Sequence, residues 1–167
     1  LRSLPPPAGH STCPRDRTAN MTVTNTYLEK LDLKITKKGK NTTDGLLLSG
    51  VEFKLEKMDP TGKWFEQVGS QKTNDDGTAT FEKLGQGIYR LTETKTAEGY
   101  NLLSHSILIR IDTSNQVQWK MENEEEKETE GEWSKIDLNV SQQGEKEIPL
   151  TIYNTKQLIL PATGGSG

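Results

Sequence analysis

A chain of 167 residues with 31% hydrophobic content has room for one modest core with tails, and not for several large domains. Its 21 basic and 24 acidic residues give a net charge of −3, which leaves no basic face for a phosphate backbone and argues against nucleic acid as a partner. The lone cysteine, Cys13, excludes an internal disulfide and a thiolate zinc site.

Residues 1–20 differ from everything downstream. They hold three consecutive prolines, Cys13, Arg2, Arg15 and Arg17 without apolar periodicity, and read as a disordered or non-native leader. Leu1–Pro7 has no apolar core of a signal peptide, and no run in the chain approaches a membrane span. Residues 21–29 read as a linker. Within it Thr22-Val23-Thr24-Asn25-Thr26 echoes Thr151-Ile152-Tyr153-Asn154-Thr155, as the closing strand of an upstream repeat would.

From residue 30 to residue 156 the signal is alternation with a period of two. Leu31, Leu33 and Ile35 share one parity, as do Val51, Phe53 and Leu55, then Ala79 and Phe81, then Tyr89 and Leu91. Ile107, Ile109 and Ile111 follow, then Val117, Trp119 and Met121, then Ile136, Leu138 and Val140, then Leu150 and Ile152. Such alternation predicts strands with one face in a core and one in water. Turn signals separate them at Asp59-Pro60-Thr61-Gly62, Asn74-Asp75-Asp76-Gly77, Gly85-Gln86-Gly87 and Asp112-Thr113-Ser114-Asn115. About eight short strands without a helical period predict an all-β, antiparallel sandwich. The acidic run over 121–133 lacks the glycine and ligand spacing of a Ca²⁺ loop and reads as a solvated loop.

Residues 157–167 form a tail containing Leu160-Pro161-Ala162-Thr163-Gly164. This LPxTG pentapeptide resembles the motif recognised by sortases, the transpeptidases that anchor proteins to Gram-positive cell walls. The resemblance implies cleavage between Thr163 and Gly164, with transfer of the Thr163 carbonyl to an amine of peptidoglycan precursor or of a pilin subunit. It makes the chain a sortase substrate displayed on the extracellular face of the wall. Sortase substrates normally carry a leader and, past the motif, a hydrophobic stretch with a basic tail, so a fragment of a longer protein is expected here.

Extending the parity count brings three polar groups into the interior. Lys37 continues the series of Leu31, Leu33 and Ile35; Glu93 continues that of Tyr89 and Leu91; Asn154 continues that of Leu150 and Ile152. An unpaired buried charge is costly, so an amine, a carboxyl and a carboxamide facing one core are expected to touch. Lys34 and Lys38 would face away in this register.

The segments Leu33–Lys37, Leu48–Leu55, Asp76–Phe81, Gly85–Thr94 and Glu98–Tyr100 resemble the Cna B-type (SpaA-like, prealbumin-like) domain of Gram-positive pilins and adhesins. Its most specific part is Tyr89-x-Leu91-x-Glu93-Thr94 followed by Gly99-Tyr100, similar to the E-box of that family. The family usually has Ala-Pro before Glu-Gly-Tyr, where this chain has Thr96-Ala97.

The resemblance implies an intramolecular isopeptide bond, with Lys37 as nucleophile, Asn154 as acceptor and Glu93 as the proton-transfer group. Burial disfavours charge on amine and carboxyl alike, so the pair can meet in neutral form and the amine can attack the carboxamide carbon. The step happens once, as maturation, and the chain is otherwise no enzyme. It would supply the robustness a disulfide gives other secreted domains, worth ~4–5 kcal/mol for a loop of about 100 residues.

The leading expectation is therefore a wall-anchored stalk module of an ancillary or basal pilin or an adhesin. No Tyr-Pro-Lys motif of a polymerising backbone pilin is present. The alternative is an adhesin domain that itself binds host matrix protein or glycan, for which Trp64, Phe65, Trp119 and Trp133 are the aromatics to watch. Trp119 is expected in the core and Trp133 exposed. His10 and His105 are far apart, no phosphate loop or nucleophile triad can be placed, and no cofactor or metal is expected.

Overall fold

The computed structural model describes residues 30–40, 45–63 and 65–157. The leader with Cys13 and His10, the 22–26 echo, Trp64 and the 160–164 pentapeptide lie outside the described residues.

Among the described residues, ten strands form two sheets. The first, four-stranded, has the order β4-β1-β10-β9, with β1 Leu31–Lys40, β4 Thr78–Leu84, β9 Asn139–Val140 and β10 Lys146–Thr155. The second, six-stranded, has the order β3-β2-β5-β6-β7-β8, with β2 Glu52–Met58, β3 Phe65–Lys72, β5 Gly87–Lys95, β6 Ile107–Ile111, β7 Val117–Met121 and β8 Ser134–Ile136. Together they make the expected all-β sandwich. Every pairing is antiparallel except β1 with β10, which run parallel with Ile35 beside Leu150 and Lys37 beside Ile152.

Inward residues of both sheets fill one core. Leu31, Leu33 and Ile35 of β1, Phe53 and Leu55 of β2, Phe81 of β4 and Tyr89 and Leu91 of β5 meet Ile107, Ile109 and Ile111 of β6 and Ile148, Leu150 and Ile152 of β10. Trp119 packs against this core from a half-buried position.

The strand pattern departs from the sequence reading in three places. β3 has no core-facing series, being an edge strand with a polar, largely exposed surface, so its sequence carries no alternation. The expected single strand through Ile136, Leu138 and Val140 is broken. Ile136 ends β8 in the six-stranded sheet, while Asn139 and Val140 pair with β10 in the other, which leaves Val140 exposed. Met121, at the end of β7, is exposed as well.

The acidic run is exposed at most of its carboxylates, yet it is tied to the sheet. Lys120 is buried, its Nζ donates to the carbonyl oxygens of Lys127 and Glu130, and Glu126 lies 3.6 Å away. Trp133, expected exposed, is half-buried with its ring 4.4 Å from the Arg110 guanidinium and 5.3 Å from Lys120 Nζ. A cation held over an aromatic face is attracted by the ring quadrupole, so the two lysine and arginine heads draw the indole back onto the sheet.

Candidate functional site: a buried lysine, glutamate and asparagine

The parity series of β1, β5 and β10 each continue one step past their last apolar residue, and the three polar residues at those steps converge. Lys37 is fully buried, and Glu93 and Asn154 are 4% and 2% exposed. Lys34 and Lys38 occupy the opposite face of β1. Because β1 and β10 belong to one sheet and β5 to the other, the cluster spans the sandwich.

The contacts are tight. Lys37 Nζ donates to Asn154 Oδ1 at 2.5 Å and lies 3.1 Å from Glu93 Oε1. Asn154 Nδ2 donates to Glu93 Oε1 at 2.9 Å, to Glu93 Oε2 at 2.8 Å and to Thr96 Oγ1 at 2.8 Å. Glu93 Oε2 also accepts from the backbone N–H of Leu103 at 2.8 Å. In the parallel register Asn154 stands opposite Gly39, two residues beyond Lys37, so the lysine side chain reaches along β1 toward it.

The segment after β5 closes over this end of the core. Asn101 N–H donates to Thr155 O and Gln157 N–H donates to Gly99 O, both at 2.8 Å, which zips the segment to the end of β10. Tyr100 is buried over Gly39, where an added Cβ would stand 2.7 Å from the ring. Only glycine leaves room for that ring beside the strand. A second glycine, Gly77, has φ +76° and accepts the Lys37 N–H at 2.8 Å, and a Cβ there would meet Leu47 at 2.8 Å. The Leu48 N–H, which donates to the Lys37 carbonyl at 2.9 Å, and the turn before β4 therefore fix the backbone of Lys37 from both sides.

Electrostatics follow from this burial. Desolvation holds the Lys37 ammonium below its ordinary value, and the charge and hydrogen bond of Glu93 pull in the other direction. The amine is thus poised to give up a proton, with a carboxylate in contact to take it. A neutral amine against a carboxamide, with a proton carrier touching both, can perform acyl transfer from amide to amine.

All three core residues expected from the sequence are brought together. Two further participants were not singled out. The Leu103 N–H is a backbone donor that no side-chain pattern marks. Thr96 lies past the end of β5, outside any alternation, and its one signal is a hydroxyl where the E-box pattern has alanine. Among the described residues no group of three or more His, Cys, Asp or Glu could hold a metal ion.

A family model described as the SpaA prealbumin-like fold domain matches residues 31–125. Among solved structures, the pilus adhesin RrgA from Streptococcus pneumoniae aligns with a TM-score of 0.52 at 21% identity, covering 80% of this chain and 16% of that one. The C-terminal fragment of the pilus adhesin SpaC from Lactobacillus rhamnosus GG gives 0.50 at 21% identity, covering 79% and 47%. A streptococcal ancillary pilin gives 0.50 at 17% identity, covering 79% and 31%. At these identities the likeness is one of fold, and the chain spans less than half the length of each. No curated protein matches the chain significantly.

Proposed function

We propose a structural function for this chain, which belongs to the SpaA prealbumin-like domain family: a stalk module of a sortase-anchored Gram-positive surface protein, closed by an isopeptide bond between Lys37 and Asn154. The observation that carries the reading is the buried contact of amine, carboxyl and carboxamide, with Nζ 2.5 Å from the carboxamide oxygen and 3.1 Å from the carboxylate.

The chemistry balances within the cluster. Lys37 Nζ–H₃⁺ passes one proton to Glu93, and the neutral amine attacks the Asn154 carboxamide carbon. Glu93 hands its proton to the carboxamide oxygen, takes a second from Nζ, and delivers that one to Nδ2. The carbonyl re-forms, returning the oxygen's proton to Glu93, as the C–Nδ2 bond breaks. The products are a secondary amide, one molecule of ammonia and a neutral Glu93. Holding the groups in a folded core replaces a bimolecular encounter, and gains of this type reach roughly 10⁵–10⁸ M in effective concentration.

The stalk reading draws on topology as well. Tension entering at the start of β1 and leaving at the end of β10 would cross from Lys37 to Asn154, so residues between them would carry no load. The pentapeptide Leu160–Gly164 supplies the anchoring half of the proposal: a sortase would cleave after Thr163 and join it to an amine of the wall or of a pilin subunit. Pilus adhesins and an ancillary pilin among the fold relatives fit such a role.

Intact mass tests the bond directly. The purified chain is expected to be one ammonia lighter than its sequence, while Lys37→Ala and Glu93→Ala have full mass. Full mass for the unsubstituted chain would remove the isopeptide claim.

A further inference from the structure

Asn154 Nδ2 has more acceptors than it has hydrogens. A carboxamide NH₂ offers two N–H groups in the amide plane. Three acceptor atoms nevertheless stand at hydrogen-bond distance from it: Glu93 Oε1 at 2.9 Å, Glu93 Oε2 at 2.8 Å and Thr96 Oγ1 at 2.8 Å. In the ground state two hydrogens serve these three atoms, while Glu93 Oε1 also has Lys37 Nζ at 3.1 Å and Glu93 Oε2 the Leu103 N–H at 2.8 Å. The nitrogen can donate to all three at once only after it has gained a proton. In the tetrahedral adduct of Lys37 with Asn154, the departing nitrogen is a positively charged –NH₃ group with three donors spread around its axis. Groups aimed at charge that develops only along the reaction lower its barrier.

From the third acceptor, the Thr96 hydroxyl 2.8 Å from Nδ2, we infer that Thr96 is a catalytic residue of bond formation, receiving the leaving nitrogen of Asn154. The inference rests on the isopeptide reading and adds to it a residue outside the Lys-Glu-Asn set. The E-box pattern has alanine at this position, so the hydroxyl is a feature of this chain's own sequence.

Burial gives Thr96 a second part in the same step. Lys37, Glu93 and Asn154 are closed off from solvent, whereas Thr96 is half-buried. Of the groups that touch Nδ2, it alone reaches toward water. Ammonia released at Nδ2 therefore leaves the core past the Thr96 hydroxyl, which can keep a hydrogen bond to it on the way. Glu93 Oε2 is held meanwhile by the Leu103 N–H at 2.8 Å, so the carboxylate stays behind as the ammonia departs.

The test follows the rate of the single turnover. The full chain is recovered unfolded in urea before it has cross-linked, diluted into buffer, and quenched at intervals for intact mass. Folding is followed separately by tryptophan fluorescence. Thr96→Ser is expected to lose ammonia within about twofold of the unsubstituted rate, because it keeps the acceptor. Thr96→Ala and Thr96→Val are expected to fold and to lose ammonia about 10- to 100-fold more slowly, the usual range for removing one hydrogen bond to a charged group. Equal rates for Thr96→Val and the unsubstituted chain would overturn the role of Thr96 while leaving the bond intact. A Thr96→Ser rate as slow as that of Thr96→Ala would also overturn it, showing that the turn and not the hydroxyl matters. No loss of ammonia from the unsubstituted, folded chain would instead overturn the isopeptide reading, and this inference with it.

Discussion

Replacing Asn154 with alanine prevents the proposed bond while leaving Lys37 and Glu93 in place, and the structure sets the size of the effect. The two residues are 117 positions apart, so the bond would close a loop of nearly the whole domain. Loop-closure entropy for that separation stabilises the folded chain by about 5 kcal/mol. The substituted chain also keeps Lys37 and Glu93 buried without the carboxamide they touch in the unreacted cluster, and leaving buried polar groups short of partners costs a further ~1–3 kcal/mol. The sum, about 6–8 kcal/mol, is comparable to the entire stability of many domains of this size. Urea titration at low temperature, where the variant keeps most of its fold, measures it. The unsubstituted chain should unfold at far higher denaturant and with the smaller m-value, because its denatured state remains a closed loop that exposes less surface. A difference below about 3 kcal/mol with equal m-values would refute the reasoning, since the loop-closure contribution of about 5 kcal/mol and the closed-loop denatured state would both be missing.

Three other outcomes are expected. In Glu93→Gln the counter-charge is gone, so desolvation acts on Lys37 unopposed and its folded value falls further below 10.5. The unfolded chain then binds a proton that the folded one does not; stability should rise with pH up to that value and be lost as pH falls toward the folded value, a slope that Glu93→Gln combined with Lys37→Met should lack. Incubation with a sortase and an oligoglycine amine should release the residues after Thr163 and add the amine to Thr163, as read by mass; Thr163→Ala should be inert, and an unreacted parent chain would dismiss the anchoring proposal. Under force applied at the two termini, Asn154→Ala should release roughly 400 Å of chain at about 3.4 Å per residue, whereas the cross-linked chain should release none of it. Equal extensions for the two would show that load does not pass through the bond.

Much of this architecture was legible from alternation, and the exceptions share a physical cause. Parity reports which side of a strand faces a core, so it identified Lys37, Glu93 and Asn154 as inward residues without any knowledge of their partners. It is blind to an edge strand with no core face, which is why β3 passed unnoticed. Parity also reads the same whether neighbours run parallel or antiparallel, so the parallel pairing of β1 with β10 could not be read from it. Nor does it register a strand that changes sheets, as the chain does between Ile136 and Asn139. Trp133 and Thr96 belong to a different class. Each is placed by a chain segment folding back on residues that are distant or off the strand, and local pattern holds no record of such contacts.

The cluster is hard to explain as an end state and simple to explain as a reactant. Burying an ammonium and a carboxylate costs several kcal/mol per ion, and their attraction repays this only when every remaining donor and acceptor is satisfied. Here Glu93 accepts from Lys37 Nζ, Asn154 Nδ2 and the Leu103 N–H, yet two opposite charges remain buried while the set is unreacted. Apolar residues of similar volume would hold the sheets together at least as well. The proposed isopeptide step would remove the burden at its source. Five protons on the amine and carboxamide would become one on the new amide, three on ammonia and one on Glu93, so both buried charges would vanish as ammonia leaves. The driving force for the proposed bond would then be partly the discharge of the core itself, with β1 and β10 of one sheet joined by a neutral link that faces Glu93 of the other.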